Sequence, residues 1–167
     1  MIESAIDGLE EVSQDVKIHR LALVHPTAKL GPGTVVWPFA QICAGTVLCP
    51  HCAVGHGVYI GNDANLGEGV RIQSNAFICN MAKIGDYVFI GQGTIMGNDK
   101  HPRVNNPSYK RRPPIIESHV NLGMGCVILP GVRIGRGATI GAGSVVTKDV
   151  EPSATMIGNP GRILTEK

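Results

Sequence analysis

From Ile18 to Met96 an aliphatic residue returns every six positions, through Val24, Leu30, Val36, Ile42, Leu48, Val54, Ile60, Leu66, Ile72, Ile78, Ile84 and Ile90. Two positions before each stands a small or β-branched residue, such as Ala28, Ala40, Cys52, Val58 or Thr94. Two inward residues flanking one outward residue are the period-two signature of a short strand. Each six-residue unit therefore holds one short strand and one sharp turn. No such unit can bury its own apolar pair. Stacked coils can, with parallel strands ~4.8 Å apart and three short strands closing each coil. Glycine often follows the large aliphatic, at Gly31, Gly55, Gly61, Gly67, Gly85, Gly91 and Gly97. There it is expected to supply the unusual backbone angles of the turn.

The rhythm breaks after Met96 and resumes, out of phase, at Ile116, Leu122, Ile128, Ile134, Ile140 and Val146. About fourteen extra residues intervene, in the stretch GNDKHPRVNNPSYKRRPP. This insertion carries Lys100, Arg103, Lys110, Arg111 and Arg112 against Asp99 alone. A long irregular loop in a compact repeat is usually functional or disordered, and a regular repeat interrupted once, by a basic loop, points to function. The predicted organisation is a cap over residues 1–15, a β-helix over 16–151 with an inserted loop at 97–115, and a tail over 152–167. Some 120 repeat residues at eighteen per coil give between six and seven coils, a prism about 30 Å tall. The spacing of Ile2, Ile6, Leu9 and Val12 predicts a short helix over the open end.

Composition agrees with such a core. Aromatics are 4% of the chain while 43% is hydrophobic, so the interior is aliphatic, and the charged fraction of 17% argues against disorder. The net charge of +2 offers no general attraction to nucleic acid or membrane. No apolar run approaches the ~18 residues of a spanning helix, and MIESAIDGLEEVSQD lacks the basic start of a secretion signal. A cytoplasmic location is expected, and the odd count of five cysteines fits reduced thiols. Cys49 and Cys52 form a CxxC, but Cys52 falls in a small inward slot, which favours core over ligand.

The whole pattern resembles the hexapeptide repeat of the left-handed parallel β-helix acyltransferases. The left hand is implied by that resemblance alone. The stretch IGAGSVVTKDVEPSATMIGNPGRI is similar to the last coil and tail of the acyl-CoA-dependent members, whose site lies between subunits of a trimer. Acetyl-CoA is thereby implied as cosubstrate and a homotrimer as the assembly. Lys148 and Arg162 match basic CoA contacts, the alternative being solvated charge on a turn and a tail. The stretch QICAGTVLCPHCAVGHGVYIGNDANLGEGVRIQSNAFI, followed by GNDKHPR, resembles the nucleotide-sugar amine N-acyltransferases, which acetylate a 3-amino group on a UDP- or dTDP-linked deoxy sugar for surface polysaccharide.

His101 is the leading catalytic candidate. Its HP pair resembles the loop histidine of maltose and galactoside acetyltransferases, where the histidine is the general base. A protonated amine cannot attack a thioester, and imidazole titrates in the range needed to take its proton. Asn75 is the second candidate, facing outward three residues after Ile72, either to orient the amine or merely to turn the chain. Asn98 and Asp99 open the loop and either bind the sugar or cap the chain's exit. Arg103, Lys110 and Arg111, with Arg112, are expected to meet the substrate and its diphosphate, or else to form a solvated face.

Three other readings stand beside this one. The first is O-acetyl transfer of the maltose or galactoside type. The second is a zinc protein like the γ-type carbonic anhydrases, which VGHG at Val54–Gly57 resembles. Their second histidine falls where this chain has Gly61, and His51, His56 and His119 do not complete the set, so no metal is expected. The third is a non-catalytic scaffold, against which the basic loop and intact tail argue.

Overall fold

The computed structural model describes residues 8–13 and 15–164. It is a left-handed parallel β-helix of three faces, all strand and turn, with no helix among the described residues. The first face stacks the strands Val16–His19, Val35–Val36, Ala53–Val54, Arg71–Ile72, Phe89–Ile90, Asn121–Leu122, Thr139–Ile140 and Thr155–Ile157. The second runs from Leu23–Val24 through Gln41–Ile42, Tyr59–Ile60, Phe77–Ile78, Ile95–Met96 and Val127–Ile128 to Val145–Val146. The third runs from Lys29–Leu30 to Arg133–Ile134. Large aliphatics pair with their counterparts one coil away: Leu66 with Ile84, Ile72 with Ile90, Ile60 with Ile78. Ile84 pairs with Ile116 across the insertion, so the loop leaves one corner and re-enters without disturbing the stack.

The inward residues form one continuous apolar column. Ile42, Ile60, Ile78, Ile90, Leu122, Ile128 and Ile134 are buried, with the small slots Ala40, Ala64, Ala76 and Ala138 between them. Polar atoms in several of the small slots bond to the backbone of the next coil, while the buried Thr34 hydroxyl has no partner among the described residues. Thr46 Oγ1 donates to Gly61 O at 2.9 Å, Thr94 Oγ1 to Gly123 O at 3.2 Å, and Cys126 Sγ to Gly141 O at 3.3 Å. Cys52 does the same toward Gly67 O at 3.3 Å and is a core thiol, pushed up to about 11 by burial. All five cysteines are free.

Three expectations are corrected. Residues Leu9–Ser13 form a strand antiparallel to Val16–His19, with Leu9 opposite His19, where a helix was expected; Ile2 and Ile6 of that expected helix lie outside the described residues. The unpaired edge of the first coil offers a ladder of backbone groups, and pairing with it satisfies them. At the other end the coil continues past the last hexad. Val150 bridges Ile134, and Thr155–Ile157 pairs in parallel with Thr139–Ile140 before the chain turns back in Arg162–Ile163. Finally, glycines after the aliphatic serve a close approach rather than unusual angles. A Cβ on Gly55 would sit 2.8 Å from Ile72 O in the coil above. The left-handed residue comes two positions later, and Phe39, His51, Asp63, Asn75, Met81, Tyr87 and His119 adopt it without glycine's help.

Candidate active site

The three corners of the prism differ in chemistry, and the insertion grows from the one between the second and third faces. An asparagine ladder builds its base, one residue per coil. Asn80 Oδ1 accepts the Asn62 N–H at 3.0 Å, and Asn98 Nδ2 donates to Asn80 O at 3.4 Å. The Arg112 N–H donates to Asn98 O at 2.7 Å, so the outgoing and returning chains are tied at the neck. Asn98 therefore caps the chain's exit. The Arg112 stem then lies against the next coil, 3.6 Å from where a Cβ on Gly131 would stand.

Beyond the neck the loop folds on itself around a cavity of about 390 Å³, lined by Asp99, Lys100, His101, Arg103, Asn106, Ser108, Lys110 and Arg112. Its bracing comes from short polar side chains. Asp99 Oδ1 accepts the His101 N–H at 2.9 Å, Asn106 Nδ2 donates to His101 O at 3.2 Å, and the Ser108 N–H donates to Asn106 Oδ1 at 3.0 Å. Such side-chain turns hold a chain that lacks sheet partners. They occupy the main chain of His101 and leave its imidazole unpartnered among the described residues. A neutral imidazole on the wall of a polar cavity can accept a proton from a bound amine or hydroxyl.

Of the sequence candidates, His101, Asp99, Arg103 and Lys110 converge on this cavity, joined by Lys100 and Arg112. Arg111 does not line it, pointing to Met81 Sδ at 3.8 Å. Asn106 and Ser108 were missed. No periodicity exists in the loop to place them, although an Asn-Pro-Ser turn was there to be read. Lys148 is exposed at the same corner as the loop, beyond Pro130, which packs on Gly97. Arg162 lies apart, past the end of the first face, where its Nη1 donates to Gly161 O at 3.0 Å.

Asn75 occupies the opposite edge of the second face, at its corner with the first. It is exposed, has φ 60°, and its side-chain oxygen fills the space a Cβ on Gly57 would take. The five residue steps from Asn75 to Asn80 put roughly 15 Å of sheet between it and the loop corner. Within one chain, Asn75 and His101 thus belong to two separate edges. Between them the second face presents an apolar outer row. Leu23 is 67% exposed, Ile95 50% and Phe77 42%, and the Phe77 ring stacks on Tyr59 at 4.8 Å.

The histidines of the zinc reading are dispersed. His51 and His119 sit at the corner between the third and first faces, several coils apart. His56 stacks on Trp37 at 5.5 Å across the first face from His51. Among the described residues no group of three His, Cys, Asp or Glu side chains is arranged to hold a metal.

The family described as "Bacterial transferase hexapeptide (six repeats)" matches residues 27–62 and 113–148, the two blocks flanking the insertion. These two blocks, 72 of the 167 residues, carry the likeness to that family. Galactoside O-acetyltransferase of Lactococcus lactis is 38% identical over 82 residues, 46% of this chain and 39% of that enzyme. The chain thus spans about two fifths of the length of that curated relative. Among solved structures, perosamine N-acetyltransferase of Caulobacter crescentus in complex with CoA and GDP-perosamine superposes with a TM-score of 0.57. It is 25% identical, with 92% of this chain and 58% of that chain covered. A hexapeptide-repeat acetyltransferase of Vibrio cholerae complexed with acetyl coenzyme A gives a TM-score of 0.55 at 27% identity, over 73% of this chain and 70% of that one. The repeat match leaves out the insertion and the cavity within it.

Proposed function

We propose that this protein is an acetyl-CoA-dependent N-acetyltransferase acting on the amino group of a UDP- or dTDP-linked amino sugar, for surface polysaccharide synthesis in the cytoplasm. The observation that carries the reading is His101, its imidazole free, on the wall of a cavity rich in cations. The likeness to an amino-sugar acetyltransferase crystallised with a nucleotide sugar supports the acceptor class.

In the proposed reaction the amine nitrogen attacks the thioester carbonyl. The new C–N bond forms as the C–S bond breaks, the nitrogen's proton passes to the His101 imidazole, and CoA leaves as thiolate to be protonated. Such a base contributes roughly 10²–10⁴-fold. Lys148 and Arg162 meet the CoA phosphates, and Asn75 orients the amine or the thioester oxygen. The assembly is a homotrimer. Burying the apolar row of Leu23, Tyr59, Phe77 and Ile95 between copies brings the Asn75 edge of one chain toward the loop edge of its neighbour.

One observation favours a second reading. The match to a galactoside O-acetyltransferase makes a sugar hydroxyl the alternative acceptor, with His101 in the same role. The test is thiol release from acetyl-CoA with a panel of UDP- and dTDP-amino sugars beside free galactosides. Release with the nucleotide amino sugars is expected. Release with galactosides alone supports the second reading, and none with any acceptor refutes both.

A further inference from the structure

We propose that the inserted loop is a diphosphate clamp, in which Lys100, Arg103, Lys110 and Arg112 hold the phosphoanhydride of the acceptor's nucleotide. This rests on the transferase reading for the identity of the ligand, but not for the anion site itself.

Three observations carry it. Four of the loop's five cations face one cavity of about 390 Å³, although the loop's sequence has no period that would align them. Among the described residues none of the four has a carboxylate within ion-pair distance. The one ion pair among the described residues joins Arg133 to Glu117 on the far side of the third face. Asp99, the lone acid in the cavity wall, accepts the His101 N–H instead. Four converging cations against one carboxylate leave an excess of like charge, and a bound anion relieves its repulsion. Guanidinium groups match phosphate oxygens in pairs, while lysines add point charge.

Two phosphate sources are chemically equivalent here, the nucleotide of the acceptor and the ADP portion of CoA. Geometry favours the first. His101 lines the same cavity, and a sphere of that volume is about 9 Å across. Anion and reacting amine must then be near neighbours. In a nucleotide-linked sugar the diphosphate is attached directly to the sugar. In CoA the whole pantetheine arm separates it from the thioester.

The test is calorimetric binding of inorganic pyrophosphate to the full-length protein and to the Lys110→Met/Arg112→Gln double variant, followed by steady-state kinetics with both substrates. Both side chains are exposed and outside the core, and circular dichroism checks the fold. A Lys17→Met/Lys29→Met protein matches the charge change away from the loop. Pyrophosphate affinity should fall at least tenfold in the loop variant and not in the control, since a charge-assisted bond is worth about 1.5–3 kcal/mol. KM for the nucleotide sugar should rise by a similar factor while KM for acetyl-CoA stays within twofold. A rise confined to acetyl-CoA assigns the anion to CoA and overturns the clamp as stated. Unchanged pyrophosphate affinity also overturns it. If affinity falls but no acceptor ever yields thiol, the anion site stands and the transferase reading fails.

Discussion

The carboxylate of Asp99 accepts the backbone N–H of His101 at 2.9 Å. Two residues apart, an aspartate and a histidine invite the assignment of a carboxylate that steadies an imidazole. Here the carboxylate steadies the chain that carries the imidazole. Asp99→Ala should therefore loosen the loop and lower kcat/KM about threefold to tenfold, the worth of one such hydrogen bond. Asp99→Asn keeps the acceptor oxygen and should retain most activity. Steady-state kinetics of the two variants check the difference.

His101→Asn removes the titratable nitrogens and keeps a polar side chain. kcat should fall by about 10²-fold or more with little change in acetyl-CoA affinity. Substantial activity in His101→Asn together with its loss in Asn75→Ala would move the catalytic role to the asparagine.

Gly55 and Gly93 test the two uses of glycine in the turns. A methyl at Gly55 would press on Ile72 O, so Gly55→Ala should cost about 1–3 kcal/mol in denaturant unfolding. Gly93 has φ 64° and nothing within 4 Å of a Cβ. Gly93→Asn, which tolerates that backbone region, should cost under about 1 kcal/mol.

Burial pushes the thiols of Cys52 and Cys79 up to about 11 and raises that of Cys126. The folded protein favours the neutral thiol, so this contribution to stability is complete below the ordinary thiol range near 8.5–9. It is lost as pH climbs through the folded values. Unfolding midpoints should fall between about pH 9 and 11. In native protein a thiol reagent should modify the half-buried Cys43 and Cys49 first, with all five reacting after denaturation.

Where the six-residue rhythm ran, the structure was legible residue by residue, because each large aliphatic must face inward for any coil to bury it. The strands at Ile42, Ile60, Ile84 and Leu122 fall where the period put them. Legibility ended where other forces set the geometry. Leu9 and Val12 share a spacing with helices, but the open edge at Val16–His19 recruited them as a strand. From Val146 to Val150 the step shrinks to four residues, so the last coil had no hexad to announce it. In the insertion, Arg111 and Arg112 are adjacent and chemically alike. Only the Arg112 N–H to Asn98 O bond decides which of them lines the cavity. Asn62, Asn80 and Asn98 lie one coil apart in the sequence, a spacing from which the ladder at the loop's neck could have been read but was not.

The most direct measurement of the central claim is the bond made by the protein. Incubation with carbon-13-labelled acetyl-CoA and a nucleotide-linked amino sugar should give a product whose labelled carbonyl resonates as an amide and survives hydroxylamine. A labelled ester removed by hydroxylamine, or no labelled sugar at all, would contradict it.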